Sequence, residues 1–390
     1  MTNAPAPSYK TSTWFWVCVL VLLISVARGI RMPGNWAYTH FLFNYEAGFI
    51  KRGLIGEIFH TLNPTYSNNH LWFTFVNVAF FIAAISALLY CMHTLIKRNS
   101  AWLIAASILF ASSLSPTYLT HTIDYFDIIS VFAVILLTQL LRAPYRQWLF
   151  LPVTIICLLI HESFFIIFFP LLFVHVVFFQ ERRTKKDRLL LGSGYALLTF
   201  SIAFLLANYA LLDSSGRLAL QGHLEKIASI PLRLDGFSVL VRHIGDNYGI
   251  MAPSLFSLWP NIESLPVTLP TAIVLNMLIW KIVRPHHSFQ STLVICLASF
   301  SPLAMHILAW DTHRWNALMV TTSFLNLCNV ARHYPAPQIQ PPYPVFVLLI
   351  FLNGASTIGL FEEYEVRQFP FFDEIYKTIP VYNTQQGSYN

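Results

Sequence analysis

Charge is what this sequence has least of. Only 11% of its 390 residues are charged, where soluble domains carry roughly 25%. That scarcity argues against the two or three soluble domains that the length alone would allow. Cysteine is sparse as well, and Cys18, Cys91, Cys157, Cys296 and Cys328 all lie in or beside apolar runs. Neither a disulfide framework nor a thiolate metal site is suggested, and packing is their expected role. There is no basic stripe with interleaved aromatics outside the apolar runs, so the pI of 9.0 does not point to nucleic acid. The first apolar run, from Trp14 to Ala27, follows a single Lys10 and ends at Arg28 with no small-residue cleavage signature. It reads as an uncleaved first span. No internal repeat is visible.

What the chain does have is apolar length. It is 56% hydrophobic and 15% aromatic, with a mean hydropathy of +0.57. A crossing helix needs about 20 apolar residues, fewer if flanked by long side chains. That ruler predicts an all-α, polytopic membrane protein, residues 1–390 forming a single transmembrane domain. About eleven spans are expected, near 13–29, 71–95, 101–115, 127–141, 148–160, 163–179, 189–210, 267–283, 290–310, 316–331 and 344–360. Lys97 and Arg98, Arg142 and Arg146, the run ERRTKKDR at 181–188, and Lys281 with Arg284 mark one side as cytoplasmic. The N-terminus is then inside and the C-terminus outside. Basic clusters at both ends of 148–179 require an even number of crossings, which predicts a tight helical hairpin or re-entrant pair with His161 and Glu162 at its tip. The outer segments are a first loop at 30–70 with amphipathic helices, a large loop at 211–266 and a tail at 361–390. Of the acids only Glu181 and Asp187 are cytoplasmic, so the other 16 of 18 gather on the outer side, where polar work is expected. The Pro-rich stretch 334–344 reads as a stiff cytoplasmic connector.

The first outer loop contains FNYEAGFIKRGLIGEIFH at 43–60. Arg28, Arg31, Lys51 and Arg52 lie on the translocated side, where basic residues are normally avoided. Lys51 and Arg52 are candidates to hold a phosphate through charge-assisted bonds. Glu46, five residues before that pair, is a candidate general base on an incoming hydroxyl. The structural alternative is an interfacial helix whose basic residues meet lipid headgroups. The turn THTIDYFD at 120–127 sets His121, Asp124 and Asp127 at i, i+3 and i+6, within one broad face if helical. They would ligate a cation or orient a substrate hydroxyl, with Asp124 a rival base. A helix N-cap at Asp127 is the structural alternative.

LLIHESFFIIFFP at 158–170 places His161 and Glu162 between two apolar runs, where ionisable groups point to function by default. A zinc-protease reading fails, because position 165 is Phe rather than the second His. Neighbouring helical residues point about 100° apart, so His161 and Glu162 are expected to face different partners, as a substrate site or as hydrogen bonds between helices. AWDTHRWN at 309–316 adds Asp311, His313 and Arg314, flanked by Trp310 and Trp315 as expected interface anchors. Arg314 is a second phosphate candidate, and a local Asp311–Arg314 ion pair is its structural alternative.

This layout resembles the C-type (GT-C) glycosyltransferases, polytopic enzymes that take sugars from polyprenyl-phosphate carriers, chiefly over residues 1–180. The resemblance implies a GT-C-like fold and transfer of a sugar from a polyprenyl-phosphate carrier to a glycan, lipid or protein acceptor. It also implies Glu46 as catalytic base, with Asp124 and Glu162 as rivals. Lys51, Arg52, His121, Asp127, His161, Asp311, His313 and Arg314 are the expected substrate contacts. No Asp-any-Asp pair occurs in the first loop, so no metal cofactor is indicated. The implied place is the outer face of a bacterial inner membrane, with membrane lipids as further partners. The segment around LLIHESFF is similar to that of O-antigen-type polysaccharide polymerases, the alternative reading. A transporter or flippase would instead gather polar groups near the midplane of two repeated halves.

Overall fold

The structure, a computed structural model, describes residues 11–62, 69–141, 148–180, 184–254, 263–309, 311–337, 340–356, 360 and 369–371. Among these residues all regular structure is helical. In chain order the α-helices are α1 (Thr11–Gly29), α2 (Asn35–Phe41), α3 (Leu54–Leu62), α4 (His70–Ile96), α5 (Ala101–Ser112) and α6 (Leu114–His121). Next come α7 (Phe126–Leu140), α8 (Phe150–Ile160), α9 (Phe164–Ile167), α10 (Phe169–Phe178) and α11 (Lys185–Asn208). The last are α12 (Ser214–Ile227), α13 (Ile244–Ser254), α14 (Leu265–Val283), α15 (Phe289–Leu297), α16 (Thr312–His333) and α17 (Tyr343–Ala355). Two 3-10 helices, Leu234–Leu240 and Ala298–Ile307, complete the set.

Five stretches among the described residues are long and apolar enough to cross a membrane: α1, α4, α11, α14, and α15 with its 3-10 extension. A sixth is the pair α5 and α6, bent by 41°. The protein is an integral membrane protein. Helix lies within each expected span, but 163–179 is divided between α9 and α10, and α7, α8, α10 and α17 have only 10 to 15 residues. At 1.5 Å per residue these cover about 15–23 Å, less than the ~30 Å hydrocarbon core.

The starts and breaks follow local chemistry. Asn69, Thr184 and Asp213 accept backbone amides as N-caps of α4, α11 and α12. Ser113 caps α6 at the bend, where its extended backbone interrupts the helical ladder. Gly29 lets the end of α1 meet the Thr117 backbone of α6, an approach that any Cβ would block.

At the centre stands α16, with 19 of its 22 residues buried, Asn316, Thr321, Thr322, Ser323, Asn326 and Asn329 among them. Asn316, Thr321, Thr322, Ser323 and Asn326 bond within the bundle, the last to the Ile295 carbonyl and Ser299. The chain turns back at His161–Ser163. His161 packs on Phe126 at the start of α7, whereas the Gln180 amide donates to the Leu141 carbonyl just beyond its end.

A second, smaller core joins the two long loops. Tyr38, Phe41 and Phe43 from 30–70 pack with Leu220, Leu224, Phe237 and Leu240 from 211–266, over Phe126 and Ile160. Both loops therefore stand at one end of the bundle. Of the 361–390 tail only Phe369–Phe371 is described. Arg142, Arg146, the start of the 181–188 run, Trp310 and part of the Pro-rich connector also lie outside the described residues.

All five cysteines are buried, and none forms a disulfide.

Candidate functional site

Where α7 and α16 begin and α8 and α11 end, a cavity of about 370 Å³ opens. Its polar end is built by Lys51, Arg52, His161, Glu162, Asp311 and Arg314. Its other end is apolar, with Phe165, Phe200, Phe204, Met305 and Leu308. Three segments singled out by sequence thus meet in one place, and the polar end sets three basic side chains against two carboxylates.

Each charged group is placed by its backbone. The Lys51 amide donates to the Ala210 carbonyl just past α11, and its Nζ donates to the Arg242 carbonyl at 2.9 Å. Lys51 is buried, and burial pushes its ammonium down to about 8 against the opposing pull of Glu162. Arg52 holds a left-handed φ of 64°, which a non-glycine residue keeps only when its surroundings fix it. Its Nε and Nη2 fork the Glu162 carboxylate at 3.1 and 2.7 Å. Glu162 stands in the turn after α8. Next to it the Ser163 amide donates to His161 Nδ1 at 3.2 Å, so the neutral ring carries its proton on Nε2.

Arg314, in the first turn of α16, forks Asp127 with Nε and Nη2 and reaches Asp311 Oδ2 with Nη1 at 3.0 Å. Its guanidinium lies 4.5 Å from the Trp315 ring and 5.2 Å from that of Tyr125. Asp311 keeps 32% of its side chain exposed. Burial raises the Asp311 carboxyl above the ordinary range, partly offset by Arg314.

Several expectations are corrected here. His121, Asp124 and Asp127 do not share a helix face, because α6 ends at His121 and a turn separates it from α7. His121 Nδ1 donates to the Gly29 carbonyl at 3.1 Å, Asp124 accepts the Gly34 amide and stands 3.7 Å from Arg31, and Asp127 holds Arg314. None of the three lines the main cavity. Asp127 is not the N-cap of α7, which is Tyr125. Nor does Glu46 line that cavity with Lys51 and Arg52. The chain turns between them, with Gly48 at a φ of 105°, and Glu46 faces His60 at 3.3 Å and His223 at 3.1 Å outside the cavity. Arg28, Arg31 and Lys51 are buried and point inward to protein carbonyls instead of lipid headgroups. Trp315 is 1% exposed and belongs to the core, not to an interface belt. His313 bonds Ser264 Oγ at 2.9 Å, away from the cavity.

Trp36, Asn208 and Asn247 line the cavity without having been singled out from the sequence. Only Trp36 carried a signal, as an aromatic residue in the loop that holds Lys51 and Arg52. No group of three or more His, Cys, Asp or Glu among the described residues is placed to hold a metal ion.

No protein-family model matches the chain, and no curated protein matches it. Among solved structures it is similar to the crystal structure of the oligosaccharyltransferase of Archaeoglobus fulgidus, at 14% identity and a TM-score of 0.39. The alignment covers 96% of this chain and 56% of that one, so the chain spans little more than half of that protein's length.

Proposed function

We propose that the protein is a GT-C-like membrane glycosyltransferase. It would move a sugar from a polyprenyl-phosphate carrier to a glycan, lipid or protein acceptor on the outer face of a bacterial inner membrane, with about eleven crossings, the N-terminus inside and the C-terminus outside. One observation carries the reading: a single cavity joins a cationic end to an apolar wall. An amphiphilic donor with a phosphate head and a hydrocarbon tail fits that division.

In this scheme Lys51 and Arg52 take the phosphate, and Phe165, Phe200, Phe204, Met305 and Leu308 take the start of the tail. Asp311 is the base, because it lines the cavity, is held through one oxygen by Arg314 and has a raised carboxyl. A raised carboxylate is a better proton acceptor near neutral pH. Asp311 removes the proton of an acceptor hydroxyl as its oxygen bonds the anomeric carbon. The bond from that carbon to the phosphate oxygen breaks, and the departing lipid phosphate leaves with its electron pair, stabilised by the two cations.

Asp311→Asn tests the assignment in a transfer assay with a lipid-phosphate sugar. Turnover should fall at least roughly 10²-fold with donor binding kept, the low end of what general-base catalysis contributes. Near-normal turnover in Asp311→Asn with loss in Glu46→Gln would move the base back to the first loop.

A further inference from the structure

Two arginines line the cavity, and each grips a carboxylate with the same Nε and Nη2 fork. The two carboxylates stand differently. Asp127 is 3% exposed and lies outside the cavity wall, so its pair with Arg314 belongs to the frame. Glu162 is itself part of the wall, with 19% of its side chain exposed against 11% for Arg52. It therefore takes up space on the cavity side of the arginine it binds.

The Nε and Nη2 edge of a guanidinium matches phosphate as well as it matches carboxylate. One fork cannot hold both. Arg52 is the fixed member of its pair, with its left-handed backbone and a neighbour, Lys51, tied to Ala210. Glu162 is carried on the turn between α8 and α9, outside both helices.

Building on the phosphate site proposed above, we infer that Glu162 is an internal stand-in for the donor's phosphate. It holds the Arg52 fork before the donor arrives, yields it to the donor's phosphodiester, and takes it back as the lipid phosphate monoester departs. The carboxylate thereby lowers the affinity for donor and product alike and speeds product release. A residue that only oriented Arg52 would do the opposite, since its loss would weaken phosphate binding.

The test is Glu162→Gln in the full-length protein in lipid nanodiscs. Binding of a short-chain polyprenyl monophosphate is followed by tryptophan fluorescence, since Trp36 and Trp315 line the cavity, with inorganic phosphate as a competitor. Gln turns a charge-paired bond into a weaker charge-to-neutral one, so both ligands should bind roughly five- to tenfold more tightly. Turnover at saturating donor should slow, with stronger inhibition by the lipid phosphate product. Unchanged or weaker binding would overturn the inference, as would a gain seen only with the lipid form, because the fork reads the phosphate alone. If Glu162→Gln does not fold, Glu162→Asp keeps the charge but is too short to span both bonds, and should tighten binding by a smaller factor. Wild-type protein that binds neither ligand would defeat the phosphate site itself. Wild-type binding without a gain in either variant would defeat only the stand-in.

Discussion

Replacing Asp127 by Asn strikes the buried ion pair that holds Arg314 in the cavity wall. The side chains of Arg314 and Asp127 are 5% and 4% exposed, and two of the three carboxylate bonds of Arg314 go to Asp127. Removing one partner of a buried pair costs about 3–5 kcal/mol, because the other charge is left uncompensated. Here Asp311 still reaches Arg314 at 3.0 Å, and the Trp315 and Tyr125 rings still flank the guanidinium. The loss should therefore sit near the lower bound, about 3 kcal/mol. Denaturant unfolding in mild detergent, followed by tryptophan fluorescence, measures it. The double change Asp127→Leu with Arg314→Met removes both charges and should be more stable than Asp127→Asn, since apolar replacement of a buried pair is often neutral. A loss under about 1 kcal/mol, the size of an exposed pair, or a double variant less stable than the single one, would refute this reasoning.

The Lys51 ammonium should impose a pH limit on donor binding. Its charge is present below about 8 and lost as pH rises through that value. Donor affinity should fall across that window, and Lys51→Arg, whose cation persists above pH 12, should remove the fall; a steep fall retained in that variant would exclude Lys51 as its source. Gly29→Ala should destabilise the α1–α6 contact by about 1–3 kcal/mol, the usual cost of overpacking, because the Thr117 backbone has no room for a Cβ; thermal melts of the two proteins check this. Reporter fusions after Arg188 and Ser214 should report cytoplasm and outside respectively, and the same side for both would mean that α11 does not cross.

Much of the site was legible because its residues break a rule of membrane sequences. Lys51, Arg52 and Arg314 are basic where the orientation rule disfavours them, and His161 and Glu162 interrupt an apolar run. Their convergence was not legible, since Arg52 and Glu162 are 110 positions apart and meet only through tertiary packing. Glu46 misled for the converse reason: closeness in sequence says little across a turn, and Gly48 sends it toward His60 and His223. The THTIDYFD segment misled because the spacing was read on one helix, whereas the chain breaks between His121 and Phe126. Apolar runs located the helices, but a run counts turn residues with helical ones, so α8 and α10 are shorter than their runs.

Phe200 and Phe204 of α11 line the cavity and are 53% and 49% exposed. α11 is also long and apolar enough to cross a membrane, so the cavity has a wall on a membrane-length helix. For the proposed donor, the concentration that governs occupancy is then two-dimensional, its mole fraction among the surrounding lipids instead of its amount per volume of water. Diluting the bilayer with inert lipid at constant bulk donor would lower occupancy of the site, and a half-saturation point expressed in mole percent would be the constant that transfers from one preparation to another.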